Sequence, residues 1–230
     1  MVDVIVLAGG LGTRLRSTIP TLPKAMAPIH NIPFLQILLG KLKQGRFISK
    51  IVMALGYQAK IIADFLSTGT DLDFSIEPHL LGTGGAVLWS LPKTSSQTVL
   101  IVNGDTFFDL DLQGFYDFHV KKQASATLAV RWVENVGRYG SVQVDSEQRI
   151  LQFEEKSDQS KNGLVSAGMY LIQREMFSSF LNGSIYSMEK DFIPIFLKKN
   201  VFAYLDEGVF IDIGTADSYQ EAQKTLEPWI

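Results

Sequence analysis

The chain contains no cysteine, which excludes disulfides, thiolate metal sites and a cysteine nucleophile. It also has no long apolar run. The opening stretch Val4–Leu7 is too short for a signal-peptide core or a membrane span, so a cytoplasmic protein with no membrane association is expected. There is no block of lysine and arginine, and the net charge of −3 gives no electrostatic footprint for nucleic acid. Low-complexity segments and internal repeats are absent. The three histidines, His30, His79 and His119, share no ligand spacing and read as ordinary loop or surface residues. Two familiar phosphate-binding strings are missing as well. No G-x-x-x-x-G-K-[ST] occurs, and in G-x-G-x-x-G register from Gly10 the third glycine is replaced by Leu15.

What is present begins at Val4-Ile5-Val6-Leu7-Ala8-Gly9-Gly10-Leu11-Gly12-Thr13-Arg14-Leu15, with Pro23-Lys24 behind it. The apolar, β-branched run predicts a buried strand. It ends on glycines that let backbone approach a ligand, and successive N–H groups in such a turn form an anion-binding concavity. Thr13 adds a hydroxyl, and Arg14 and Lys24 add two cations, Arg14 with a fork suited to phosphate. These residues together suit a nucleoside triphosphate tail. A plain strand-to-loop turn with solvated cations is the alternative.

The order that follows is β-α-β-α-β. A helix is predicted over 33–42, with Phe34, Ile37, Leu38 and Leu42 on one face, then a strand at 51–55, a helix at 58–66 and a short strand at 73–77. A second glycine-rich turn, Leu81-Gly82-Thr83-Gly84-Gly85-Ala86, opens a helix whose first N–H groups would be free for a ligand. Val99–Asp105 is continuously apolar and ends on a carboxylate, as a central parallel strand carrying a Mg²⁺ ligand would. Asp111 fits as the N-cap of a helix over 112–122. From 124 onward strands follow strands, at 124–133, 140–144 and 150–154. A helix over 174–181, an N-cap at Ser187 and strands at 202–205 and 209–212 complete the pattern, before a last helix through Tyr219.

Gly9-Gly10-Leu11-Gly12-Thr13-Arg14-Leu15, followed by Pro23-Lys24-Ala25-Met26-Ala27-Pro28-Ile29, resembles the signature of the sugar-1-phosphate nucleotidyltransferases. Ala25 departs from the family's usual second proline. The segments Asn103-Gly104-Asp105-Thr106-Phe107-Phe108-Asp109, Arg138-Tyr139-Gly140 and Phe210-Ile211-Asp212-Ile213-Gly214 are similar to those of bacterial D-glycero-α-D-manno-heptose 1-phosphate guanylyltransferases. The resemblance implies an α/β, single-domain Rossmann-like nucleotidyltransferase fold. Its mixed, mostly parallel central sheet would be flanked by helices and carry a small sugar-binding β lobe. One domain over 1–230 is expected, with a nucleotide half at about 1–122 and a sugar half at about 123–230.

The resemblance also implies roles. Arg14 and Lys24 would be catalytic. Leu7, Ala8, Gly9, Gly10, Gly12, Thr13, Gly82 and Thr83 would bind the nucleotide. Glu77 stands where relatives often contact the base. A carboxylate there can accept from both N1–H and N2–H₂ of guanine, whereas uracil and thymine offer one such donor; a solvated strand end is the alternative. Gly140, the Glu155-Lys156 pair, Ser166 and Gly168 would hold the sugar phosphate, Ser166 standing where many relatives have asparagine. Asp105 and Asp212 would bind Mg²⁺. The substrates would be a nucleoside triphosphate and a sugar 1-phosphate, with GTP and heptose 1-phosphate first and GDP-heptose for surface polysaccharide as product. A hexose 1-phosphate uridylyl-, thymidylyl- or cytidylyltransferase and a non-catalytic nucleotide-sugar sensor stay open, as does assembly into homo-oligomers.

Overall fold

The computed structural model describes residues 1–67, 72–155 and 161–230. Its strands are β1 (Val2–Leu7), β2 (Pro28–Ile29), β3 (Ile32–Pro33), β4 (Ile48–Leu55), β5 (Asp73–Ile76), β6 (Thr98–Asn103), β7 (Thr106–Phe108), β8 (Ala126–Val133), β9 (Ser141–Val144), β10 (Ile150–Glu154), β11 (Gly163–Gln173), β12 (Val201–Leu205) and β13 (Phe210–Asp212). The α-helices are α1 (Phe34–Leu42), α2 (Ala59–Leu66), α3 (Gly82–Ser90), α4 (Leu112–Lys121), α5 (Ile193–Phe196) and α6 (Ala216–Thr225). The α/β class expected from the β-α-β-α-β order is the one observed. Among the described residues no helix is long and apolar enough to cross a membrane.

Nine strands share one sheet, in the order β10-β9-β11-β6-β1-β4-β5, with β8 between β11 and β12. The run β6-β1-β4-β5 is parallel throughout. Antiparallel pairing begins where β11 joins β6, and β11 also pairs β8 and β9. Side chains alternate across β1: Val2, Val4 and Val6 enter one apolar core and Ile5 the other. Leu100 and Val102 of β6 follow the first core, Val99 and Ile101 the second. Both faces are therefore covered, as a run of apolar residues without alternation requires.

A third core joins parts distant in sequence. Leu15 of the loop after β1, Ile29 of β2 and Phe34 of α1 meet Phe107 of β7, Ile211 of β13 and Ala222 of α6. The hydroxyl of Tyr219 and the amide of Gln223, both on α6, donate to the Pro28 carbonyl, at 2.5 and 3.0 Å. The last helix thus braces the loop that follows β1.

Three expectations change. The segment 174–181 is not a helix: only Arg174–Phe177 forms a 3₁₀ turn. Arg174 reaches back to the carbonyls of Leu91 and Thr94, and Phe177 and Phe180 turn into an aromatic cluster with Phe192 and Phe196, so tertiary contacts override local propensity. β7 was not anticipated; it exists because β13 pairs with it. His119 is neither a loop nor a surface residue. It lies buried in α4, its Nδ1 is 2.8 Å from Thr127 Oγ1, and burial lowers its pKa to about 4. Two cap readings hold: Asp111 accepts from Gly114 N and Ser187 from Lys190 N.

Candidate active site

The phosphate loop leaves the carboxyl end of β1 and turns at Gly12, whose φ of +59° is left-handed. A Cβ at Gly12 would lie 3.0 Å from Cβ of Lys24, so the glycine lets the turn Lys24–Met26 pack directly against the loop. Ala25 sits buried in that turn.

Lys24 points inward, its side chain 12% exposed. Its ammonium donates to Asp105 Oδ2 at 2.7 Å and lies 3.8 Å from Asp212 Oδ2. Asp105 follows β6 and Asp212 ends β13, more than a hundred residues later. The β13–β7 pairing brings them together: Asp212 stands opposite Thr106, and Ile213 N donates to the Asp105 carbonyl at 3.1 Å. Burial alone would raise the Asp105 pKa. The charge and hydrogen bond of Lys24 outweigh it, and the carboxyl is held below its ordinary value. Asp212 Oδ1 accepts from Gly214 N at 2.9 Å and from Arg138 Nη2 at 3.4 Å. It is not the N-cap of α6; Thr215 is, in a reciprocal pair with Ser218.

Two carboxylates converging on one positive centre are a donor set for a hard cation. Among the described residues no group of three His, Cys, Asp or Glu side chains could hold a metal. Asp105 and Asp212 fit the pattern in which one or two carboxylates and substrate phosphates share Mg²⁺.

Two cavities meet at Asp105. The larger, about 410 Å³, is lined by Leu7, Ala8, Gly9, Gly10, Gly12, Thr13, Arg14, Lys24, Glu77, Gly82, Thr83 and Asp105, together with Ala25, Leu80 and Asn103. The smaller, about 240 Å³, is lined by Gly140, Glu155, Ser166, Gly168 and Asp212. Arg14, Thr83, Asn103 and Asp105 belong to both. Lys156 lies outside the described residues.

Glu77 is half-buried, and burial raises its pKa against the lowering effect of a bond from Leu81 N to Oε2 at 3.0 Å. It is therefore not a solvated strand end. In the smaller cavity, Ser166 and Gly168 lie on a bulge where the register of β11 against β8 shifts. The Ser166 hydroxyl donates to Tyr170 at 3.1 Å.

The second glycine-rich turn differs from expectation. N–H groups of Gly84 and Gly85 are not free: both donate to the carbonyl of Tyr186, at 2.8 and 3.2 Å. Gly82, at φ +72°, is needed there because a Cβ would lie 2.5 Å from that carbonyl. Gly82, Thr83 and Ala86 of the turn face the cavity, and Gly84 and Gly85 do not line it.

Sequence reasoning did not single out Arg138, Tyr139, Glu189 or Phe210 as lining residues. Arg138 lies two residues before Gly140 in the sequence, and a cation so near that glycine was a usable signal. Glu189 carried none, since its place depends on the fold of 184–192.

The Nucleotidyl transferase family model matches residues 3–228. The chain belongs to this family. A D-glycero-α-D-manno-heptose 1-phosphate guanylyltransferase of Aneurinibacillus thermoaerophilus is 37% identical, over 99% of this chain and 100% of its own. One of Campylobacter jejuni is 35% identical, over 94% and 96%. The crystal structure of HddC from Yersinia pseudotuberculosis superposes with a TM-score of 0.88 at 31% identity, covering 99% of this chain and 100% of that one. The same protein has also been solved complexed with GMP-PN. This nucleotidyl transferase is thus matched along nearly its whole length.

Proposed function

We propose that the protein transfers the guanylyl group of GTP to D-glycero-α-D-manno-heptose 1-phosphate, giving GDP-heptose and pyrophosphate for surface polysaccharide. The observation that carries this reading is the meeting of two cavities of unequal size at the Asp105–Lys24–Asp212 cluster. A triphosphate in the larger and a sugar 1-phosphate in the smaller would present their reacting phosphates to the same charges. The names of the full-length relatives supply the base and the sugar.

The reaction is a displacement at the α-phosphorus. An oxygen of the sugar 1-phosphate forms the new P–O bond, and the bond to the β-phosphate breaks with its electrons leaving on pyrophosphate. The attacking oxygen is already anionic, so no general base is required. The chain's task is to screen two anions and hold them in line. Arg14, in both cavities, holds the leaving pyrophosphate. Lys24 moves its charge from Asp105 to the α-phosphate. Glu155 accepts sugar hydroxyls, and Lys156 and Arg138 hold the sugar phosphate. Mg²⁺, held by Asp105 and Asp212, supplies charge neutralisation to the phosphates when bound. Residues 1–122 serve the nucleotide and 123–230 the sugar, within one domain in the cytoplasm.

The test is pyrophosphate release with Mg²⁺, four nucleoside triphosphates, and heptose, mannose and glucose 1-phosphates. Turnover with GTP and heptose 1-phosphate alone is expected. Preference for another pair would keep the chemistry and discard this substrate assignment. Nucleotide binding without turnover would favour a sensor.

A further inference from the structure

We infer that Glu189 is a specificity-determining residue of the transfer reaction: its carboxylate, in the wall of the smaller cavity, accepts a hydroxyl hydrogen bond from the sugar of the 1-phosphate. The inference rests on the function proposed above. Glu189 lies in a single π-helical turn, Met188–Phe192, that starts at Ser187. Such turns are rare and often mark functional positions. Two hydroxyls hold the side chain. Thr83 Oγ1 and Ser187 Oγ donate to Oε2, at 3.2 and 3.0 Å. The Tyr170 hydroxyl lines the same cavity and accepts from Ser166 at 3.1 Å. Burial pushes the Tyr170 pKa well above its ordinary value, so the phenol keeps its proton.

No cation answers this charge among the described residues. The neighbouring Lys190 turns instead to Glu155, at 3.2 Å. A carboxylate has about four acceptor positions, and the two hydroxyls, both on Oε2, leave capacity toward the cavity. A hydroxyl donor fills it; a phosphate, which only accepts, is repelled. Glu189 therefore fixes which end of a sugar 1-phosphate lies against it, with the polyol toward Glu189 and the phosphate toward Arg138 and Arg14. Thr83 lines both cavities, so the same carboxylate also touches the turn beside the nucleotide.

The experiment compares wild type with Glu189→Gln, which keeps the shape and removes the charge. With GTP and heptose 1-phosphate, the KM for the sugar should rise about tenfold, as for loss of one hydrogen bond to a charged group. The KM for GTP should stay unchanged. Across heptose 1-phosphates each lacking one ring hydroxyl, one position should show wild type and variant equal. A parallel rise in both KM values would overturn the inference, since Glu189 would then only anchor Thr83. So would an unchanged sugar KM, or deoxy analogues that affect both proteins alike. Tyr170→Phe is the second variant, expected to raise the sugar KM in the same direction by less. Lack of turnover by wild type with any sugar would overturn the proposed function instead, and calorimetric binding of the same sugar 1-phosphates to both proteins would then decide Glu189.

Discussion

Replacing Glu77 by Gln tests base recognition most directly. One oxygen of Glu77 is committed to Leu81 N at 3.0 Å. A glutamine would keep its carbonyl on that N–H and turn its NH₂ toward the cavity. Guanine would then meet a donor where its own N1–H and N2–H₂ need an acceptor. Loss of a hydrogen bond to a charged group costs about 1.5–3 kcal/mol, so kcat/KM for GTP should fall about 10- to 150-fold. UTP, with one donor flanked by two acceptors on that edge, should fall less. Acidity gives a second readout. The Glu77 carboxyl titrates above its ordinary value because of burial. Protonation removes the acceptor, so kcat/KM for GTP should fall as pH drops through that raised pKa, and Glu77→Gln should lack this limb. The same shift means that ionisation of Glu77 weakens the fold as pH rises through the raised pKa. The variant should therefore melt no lower than wild type at neutral pH, which separates lost recognition from lost structure. A Glu77→Gln protein that keeps its GTP preference and its acid limb would refute the reasoning.

Other outcomes follow from the same contacts. Asp105→Asn and Asp212→Asn should each lower kcat by about 10²–10³ while GTP still binds, as read by steady-state turnover and by calorimetry. Arg138→Ala removes a guanidinium that bonds Asp212 and Ser218, and should raise the KM for the sugar 1-phosphate about tenfold with little change in that for GTP. Gly82→Ala forces a side chain into a left-handed position against the Tyr186 carbonyl, and should cost about 1–3 kcal/mol in urea unfolding.

The legible parts were those whose meaning is local. The phosphate loop needs glycines and cations within a few residues of a strand end, and Gly9 to Lys24 supply them in one stretch. β6 showed itself because burial on both faces leaves an unbroken apolar run before Asp105. Asp111 and Ser187 cap helices through bonds that span three residues. The rest depends on partners far along the chain. β7 exists only against β13, and that pairing sets Asp212 beside Asp105. The glycine-rich turn at 82–86 looked open to ligand, yet Tyr186, a hundred residues on, takes its N–H groups. The segment 174–181 reads as a helix, but its aromatics are claimed by a cluster with Phe192 and Phe196. His119 gave no sign of burial because its partner, Thr127, sits on the next strand.

The charges around the two cavities explain why a cation belongs to the reaction as proposed. Among the described residues, five lining carboxylates, Glu77, Asp105, Glu155, Glu189 and Asp212, face three cations, Arg14, Lys24 and Arg138. Such a lining by itself repels a triphosphate and a sugar phosphate. Lys24 cannot offset this alone, because its charge is already spent on Asp105 and Asp212. Asp105 and Asp212 would hold a divalent cation that would neutralise this excess where the cavities meet, and Lys24 would then be free to turn toward the α-phosphate. Turnover should therefore depend on metal more steeply than nucleotide binding does, since binding draws on the backbone of the phosphate loop and displacement draws on the freed lysine. Lys24→Ala should accordingly lower kcat while leaving the metal concentration needed for half-maximal activity no higher than in wild type. If that concentration instead rose with Lys24→Ala, the lysine would be supporting the two aspartates rather than competing for them.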